Sequence, residues 1–380
     1  MRLADVCTFN PKAPVLADDY EVSFVPMQSV SEEGQIDCSD IRAYKEVKKG
    51  FSSFQDGDVL FAKITPCMEN GKGAVAYPLH NGYGFGSTEF HVLRPNSEYI
   101  LSKWLYYLTS WDVFRKECEK NMTGSAGQKR VPKGFLEFYT VNIPSLTKQQ
   151  HEIDILDKIS DLIALRKQQL AKLDELVKAR FVEMFGDPVN NSKGLPELTL
   201  PELGEFGRGV SKHRPRNDPK LLGGKYPLIQ TGEVANSELY ISSYENTYSE
   251  LGLKQSKMWQ AGTLCITIAA NIAKTAILTF DACFPDSVVG FKANDKTNNI
   301  FIHYWFSFFQ AILEAQAPES AQKNINLKIL SELKIIVPPI EQQNEFVSFV
   351  EQTDKSKLEI QTVLTKLETL KKALMQQYFG

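Results

Sequence analysis

Lys172-Leu173-Asp174-Glu175-Leu176-Val177-Lys178-Ala179 returns 194 positions later as Lys366-Leu367-Glu368-Thr369-Leu370-Lys371-Lys372-Ala373, and both copies run on to Phe-Gly, at Phe185-Gly186 and Phe379-Gly380. A match at fixed offset marks a duplicated architecture. The same offset lays Gln128-Lys129-Arg130-Val131 over Gln322-Lys323-Asn324-Ile325, and Ile143-Pro144-Ser145-Leu146 over Val337-Pro338-Pro339-Ile340. Just beyond, the letters match best with a slip of one, Gln149-Gln150-His151-Glu152-Ile153 against Gln342-Gln343-Asn344-Glu345-Phe346, which implies a small indel. Toward the start of each half only the pattern survives, as in Gly57-Asp58-Val59-Leu60-Phe61 against Gly262-Thr263-Leu264-Cys265-Ile266, and Ser87 to Val92 near Ser287 to Phe291. The halves agree at their ends and differ in their middles. Two similar modules that face two different ligands would look like this.

Apolar residues Leu156, Ile159, Ile163, Leu170, Leu173 and Val177 step by threes and fours through 149–186, the spacing of a heptad-like helix. Val350, Ile360, Leu364, Leu367 and Leu374 repeat the pattern through 341–380. A helix of this kind extends about 54 Å, more than one compact domain needs. Neither helix buries its stripe alone, so the spacing predicts that they pair as an antiparallel coiled coil. The alternative is that each stripe packs on its own module. Pro144 and Pro338-Pro339 end extended segments ahead of the helices, and Gly186-Asp187-Pro188 stops the first of them. The remaining segments, 1–148 and 187–340, mix alternating strands, short apolar helices and glycine-rich turns, so the expected fold class is α+β, an internal repeat with a long helix after each module.

A chain of 380 residues suits two domains of ~150 residues with connecting elements. Hydrophobic residues at 43% and charged residues at 23% are the balance of a globular protein. A net charge of -3 and a pI near 6.1 exclude a protein that coats nucleic acid through bulk charge. Met1-Arg2-Leu3-Ala4-Asp5 has no basic region leading into an apolar stretch, and the apolar run from Ile300 to Leu313 is too short and too interrupted to span a membrane, so a cytoplasmic location is expected. Six scattered cysteines without a CxxC pair, and five histidines apart from them, predict reduced thiols and no metal site.

No GxxxxGK[ST] loop, GxGxxG turn, [DN]PP[YF] tetrapeptide, GxSxG elbow or HExxH helix occurs. Pro285-Asp286 and Lys292 form part of a nuclease pattern, but Phe291 stands where its second acidic residue belongs. A binding protein, not an enzyme, is expected.

Reading a duplex takes cations for phosphates and amide or guanidinium forks for base edges. Lys63, Asn70 and Lys72 lie in or beside one turn of the first half; Ser125, Gln128, Lys129, Arg130 and Lys133 form a second polar, basic stretch. In the second half Arg208, Lys212, His213, Arg214 and Arg216 crowd one segment, Asn271 and Lys274 fall near the counterparts of Asn70 and Lys72, and Gln322, Lys323, Asn324 and Asn326 match the later stretch. Each lysine taken singly reads as solvated surface charge; the groups read as DNA contacts.

Gly57-Asp58-Val59-Leu60-Phe61-Ala62-Lys63, Pro144-Ser145-Leu146 leading to Gln149-Gln150, Pro338-Pro339-Ile340-Glu341-Gln342-Gln343 and the two Phe-Gly helix ends, in this order and duplicated, resemble the specificity subunits of Type I restriction-modification systems over essentially the whole chain. The resemblance implies two target-recognition domains, each reading half of a bipartite asymmetric DNA site, with the paired helices as a spacer. It implies a non-catalytic subunit that binds double-stranded DNA, two modification (methyltransferase) subunits and, through them, restriction (translocase and nuclease) subunits. S-adenosylmethionine, ATP and Mg are then expected on those partners and no cofactor on this chain. The recognition part of a related modification-cleavage enzyme, or a scaffold that does not read DNA, are the other readings.

Overall fold

The computed structural model describes residues 1–125, 127–269, 272–316 and 327–380. They divide into two compact units, Met1–Lys167 with Thr362–Gly380 and Gln168–Gln361. Each unit is mixed α and β, and each takes part of both long helices, Leu146–Phe185 and Ile340–Phe379.

In the first unit an antiparallel sheet runs in the order Cys7–Phe9, Phe90–Pro95, Val59–Ala62, Gly73–Val75. A second sheet has the order Ile41–Ala43, Glu21–Val25, Tyr83–Gly86, Ser52–Gln55, with its two middle strands parallel. The second unit repeats both. Its strands Gly204–Arg208, Val288–Ala293, Leu264–Thr267 and Thr275–Leu278 follow the order of the first sheet, with Tyr240–Ile241 added at the edge. Asn246–Tyr248, Leu222–Leu228, Ala282–Cys283 and Met258–Trp259 follow the second, including its parallel middle pair. The strand Val59-Leu60-Phe61-Ala62 is buried on both faces. Val59 and Phe61 point into one core, with Trp104 and Phe114, while Leu60 and Ala62 point into another, with Phe54 and Phe90. Successive side chains leave a strand on opposite faces, so a continuous apolar run is what a strand between two cores requires.

Within the first unit Ile153 and Leu156 of the first long helix share a core with Met375 and Phe379 of the second. Within the second unit Val177, Phe181 and Phe185 pack with Phe346 and Val350, Arg180 pairs with Glu345 at 2.9 Å, and Lys357 pairs with Asp174. In both cases the start of one helix meets the end of the other, so the helices pack antiparallel. The stripe also serves each module's own core. Leu156, Ile159, Val177, Val350 and Leu364 are buried; Ile163, Leu170, Leu173, Ile360, Leu367 and Leu374 are half-buried. Gly186, at φ +77°, ends the first helix in a left-handed conformation and packs so closely that a Cβ would lie 2.4 Å from Ser192 Oγ.

One amide fixes where each helix begins. Gln149 is fully buried; its Oε1 accepts from the Leu101 N–H at 2.9 Å and its Nε2 donates to the Tyr99 and Pro144 carbonyls at 2.8 and 2.9 Å. Gln343, equally buried, accepts from Thr297 Oγ1 at 2.8 Å and donates to the Lys296 and Pro338 carbonyls at 3.0 and 2.8 Å. Gln149 therefore corresponds to Gln343, at the unchanged offset of 194. The indel inferred from the two Gln-Gln pairs is wrong, because the clamp needs glutamine five residues after the proline and the neighbouring glutamine is incidental. Both helices are 40 residues long, in keeping with an uninterrupted repeat.

Replacing Gln149 by alanine strands an N–H and two carbonyls in the interior, and about 2–4 kcal/mol of destabilisation is expected at ~1–3 kcal/mol for a buried unsatisfied group. Gln343→Ala is expected to match it, while the exposed Gln150→Ala shifts the urea midpoint little; equal midpoints for all three would remove the clamp.

Burial pushes the His303 imidazole down to about 4, with Thr275 Oγ1 2.9 Å from its Nδ1. Between pH ~6.5 and 4 the unfolded chain binds this proton and the folded unit does not, so stability is full above ~6.5 and declines on acidification, by on the order of 2–3 kcal/mol. Urea titrations at pH 7 and 4.5 are expected to show a smaller decline for His303→Asn than for the wild-type chain.

Candidate nucleic-acid interface

In the first unit the candidate residues converge on three adjoining segments. Past the end of strand Val59–Ala62, the Lys63 N–H bonds the Glu89 carbonyl at 2.9 Å and the Lys63 carbonyl accepts from Val131 at 2.9 Å. The Thr65 N–H reaches the Lys129 carbonyl at 3.0 Å, and Thr123 and Arg130 exchange backbone bonds at 2.9 and 2.8 Å. Residues 63–65, 87–91, 123–125 and 127–131 are thus one backbone-knit edge that carries Lys63, Gln128, Lys129 and Arg130, with exposed Ser125 beside it.

Electrostatics separates these residues. Arg130 donates from Nε and Nη2 to both oxygens of Glu89, at 2.9 and 2.7 Å, and from Nη1 to the Gln128 carbonyl at 3.2 Å. The guanidinium holds the Glu89 carboxyl below the usual carboxylate range. Arg130 thus braces the segment, and its fork is already occupied. Lys133 pairs with Glu137 at 3.0 Å, and Lys72 reaches the Met27 carbonyl at 3.2 Å. Exposed Asn70 sits on the 65–72 turn, which Arg115 ties down from beneath by donating to the Met68 carbonyl at 2.6 Å and packing over the Phe61 ring. Burial among apolar groups pushes Arg115 down to about 10.

In the second unit Arg214 and Arg216 converge on one carboxylate, Asp286, and His213 lies 3.1 Å from Asp218. Arg214 also donates to the Ser211 carbonyl at 2.6 Å, and the His213 N–H bonds Gln255 Oε1 at 3.0 Å. Asp286 and Lys292, the pair in the partial nuclease pattern, are engaged separately, Lys292 with Gln260 at 3.1 Å. Arg208 ends strand Gly204–Arg208 and is exposed, as are Lys212 and Lys274. Asn271, Gln322, Lys323, Asn324 and Asn326 lie outside the described residues.

The sequence reading missed the bracing roles of Glu89 and Arg115, and it weighed Asp286 only against a nuclease pattern and not as the carboxylate that holds Arg214 and Arg216. It also passed over Lys116 and Lys120, which lie four residues apart on the helix Asp112–Lys120. Among the described residues no group of three His, Cys, Asp or Glu side chains could hold a metal ion, and no helix is long and apolar enough to cross a membrane.

Two modules with one strand order and differently charged loops are matched by a single family model, Type I restriction modification DNA specificity domain, over residues 1–175 and again over 197–372. The chain belongs to this specificity-domain family. It is 40% identical over 200 residues to the Type I restriction enzyme EcoAI specificity subunit of Escherichia coli, covering 52% of this chain and 33% of that one. The EcoEI specificity subunit of the same species is 38% identical over 201 residues, again 52% and 33%. The chain therefore matches about a third of the length of these relatives. A solved chain from work on complex assembly and conformational transition of the type I R-M system shares the fold at a TM-score of 0.62 and 18% identity, covering 100% of this chain and 96% of that one.

The Glu89–Arg130 brace gives this specificity-domain protein a protease-sensitive handle. Glu89→Gln is expected to be cut by trypsin after Lys129 and Arg130 several-fold faster than the wild-type chain at pH 7. Equal cutting rates would show that backbone pairing alone holds the segment.

Proposed function

We propose that this chain is the DNA sequence-specificity subunit of a Type I restriction-modification complex, reading a bipartite asymmetric target and recruiting the methyltransferase and restriction subunits. The observation that carries the reading is the specificity-domain match made twice, once in each half. A duplicated frame with divergent loops suits a split target whose halves differ in sequence. In this reading residues 1–148 and 187–340 are the target-recognition domains, and 149–186 and 341–380 are the spacer helices.

The proposed contacts in the first domain are Lys63, Asn70, Lys72, Ser125, Gln128, Lys129, Arg130 and Lys133. Those in the second are Arg208, Lys212, Arg214, Arg216, Asn271, Lys274, Gln322, Lys323 and Asn324. Exposed groups such as Lys129 suit phosphate contact, whereas a guanidinium already bonded to Glu89 would reach DNA only by exchanging that partner. Phosphate contacts set position and base-edge contacts set sequence. Two modification subunits would supply S-adenosylmethionine chemistry, and restriction subunits ATP- and Mg-dependent translocation and cleavage. The complex would work in the cytoplasm, where the DNA is.

The test is to express the chain with and without the methyltransferase encoded beside it and to map methylated adenine across the host genome. A split asymmetric motif that depends on both proteins is expected. An active, co-purifying methyltransferase without chain-dependent methylation would refute the reading. In titrations of the chain with duplex DNA, Lys129→Ala is expected to flatten the dependence of log affinity on log salt by about 0.9, the loss of one phosphate contact.

A further inference from the structure

Beside the knit edge of the first unit lies an open groove of about 740 Å³, lined by Thr65, Glu69, Gly127 and three lysines. Two of these, Lys116 and Lys120, come from the helix Asp112–Lys120, and the third, Lys129, comes from the candidate segment itself. All three are exposed, and among the described residues none is ion-paired. The contrast with Arg130 and Lys133, each held by a carboxylate, is the informative point.

Lys116 and Lys120 are one helical turn apart, which sets their Cβ atoms ~5–6 Å from each other on the same face. The helix that presents them is anchored by buried Phe114, Arg115 and Cys118 on its opposite side. The two ammonium groups therefore stand on a rigid base, on flexible stems that can follow a curved polyanion. Glu69 and Glu119 line the same groove, and Thr65 Oγ1 donates to Glu69 at 2.7 Å. Those carboxylates disfavour a pocket for a small free anion. They tolerate a strand whose phosphates run along the lysine side.

We propose that this groove holds the phosphate backbone of one DNA strand, with Lys116 and Lys120 as sequence-independent contacts that extend the edge carrying Lys129. The proposal rests on the DNA-reading function above and adds a contact surface to it. A duplex docked there gains its electrostatic grip from the groove, while the exposed amides of Asn70 and Gln128 on the adjoining segments are left to face base edges.

The experiment uses the full chain and a 30-base-pair duplex, titrated between low and moderate salt. K116Q/K120Q keeps the side-chain stems and removes two charges. K45Q/K49Q removes two exposed charges elsewhere on the same unit and controls for net charge. The proposal expects K116Q/K120Q to flatten the slope of log affinity against log salt by roughly 1.8, at ~0.9 per phosphate, and to weaken duplexes of every sequence alike. K45Q/K49Q is expected to keep the wild-type slope. Wild-type slopes in K116Q/K120Q, or equal flattening in both variants, would overturn the groove and leave the DNA-reading function standing. A wild-type chain whose affinity for DNA does not respond to salt would overturn both.

Discussion

The buried amides of Gln149 and Gln343 are the constraint from which the rest of each unit follows. Each ties the first turn of a long helix to the loop that launches the neighbouring apolar helix, at Tyr99–Leu101 before Ser102–Ser110 in one unit and at Lys296–Thr297 before Asn299–Gln316 in the other. An amide suits this place because it donates and accepts at once, and a buried polar group that found only half its partners would cost more than it returned. With the helix start pinned, its register on the module is set. Glu152 then accepts from the Trp104 indole at 2.7 Å, and Trp104 lies against Phe379 with ring centroids 5.0 Å apart. The second unit fills the matching places with Phe301, Phe346 and Phe185, an apolar solution to the same packing problem.

The repeated strand shows how far duplication preserves physics while letters change. Asp58, buried, accepts from Arg94 at 2.8 and 2.7 Å across the sheet and from the Gln55 N–H at 2.9 Å. At the corresponding places Thr263 and Lys292 both reach Gln260, the hydroxyl donating to its backbone carbonyl at 2.7 Å and the ammonium to its side-chain oxygen at 3.1 Å. An ion pair between a buried carboxylate and a half-buried guanidinium has become two neutral-acceptor bonds. The turn ahead of the strand needs a glycine in both copies, Gly57 at φ +88° and Gly262 at φ +84°. That shared glycine and the apolar run after it are why the two segments could be matched despite their divergence.

What was legible in the sequence was what has a period or an offset. The long helices, their antiparallel packing and the two α+β modules follow from spacing that any apolar interior imposes. Gln-Gln misled because identical letters are weaker evidence of equivalence than an identical hydrogen-bonding duty. The candidate site was legible only as a set of segments. Glu89 lies 41 positions from Arg130 and Asp286 lies 70 from Arg216, and no local pattern announces that a carboxylate so far away will meet a given guanidinium.

Those long-range pairs change what a near-neutral chain can do with its cations. A protein with a net charge of -3 cannot bind a polyanion through an undifferentiated field. It must sort its positive groups, some to brace loops and some to remain solvated. The Arg130–Glu89 fork, the two arginines on Asp286 and the buried guanidinium of Arg115 belong to the first kind. Each consumes a charge to fix the shape of a segment that also carries amides and lysines. In the proposed DNA-reading role, the rigidity gained this way would be the condition for telling one base edge from another, since a loop free to rearrange would accept many. Arginine suits the bracing task because its planar fork fits a carboxylate or a pair of carbonyls, whereas lysine, a strongly hydrated point charge, gives up less by staying in water until a phosphate arrives. The exposed lysines beside the braced edge follow that division.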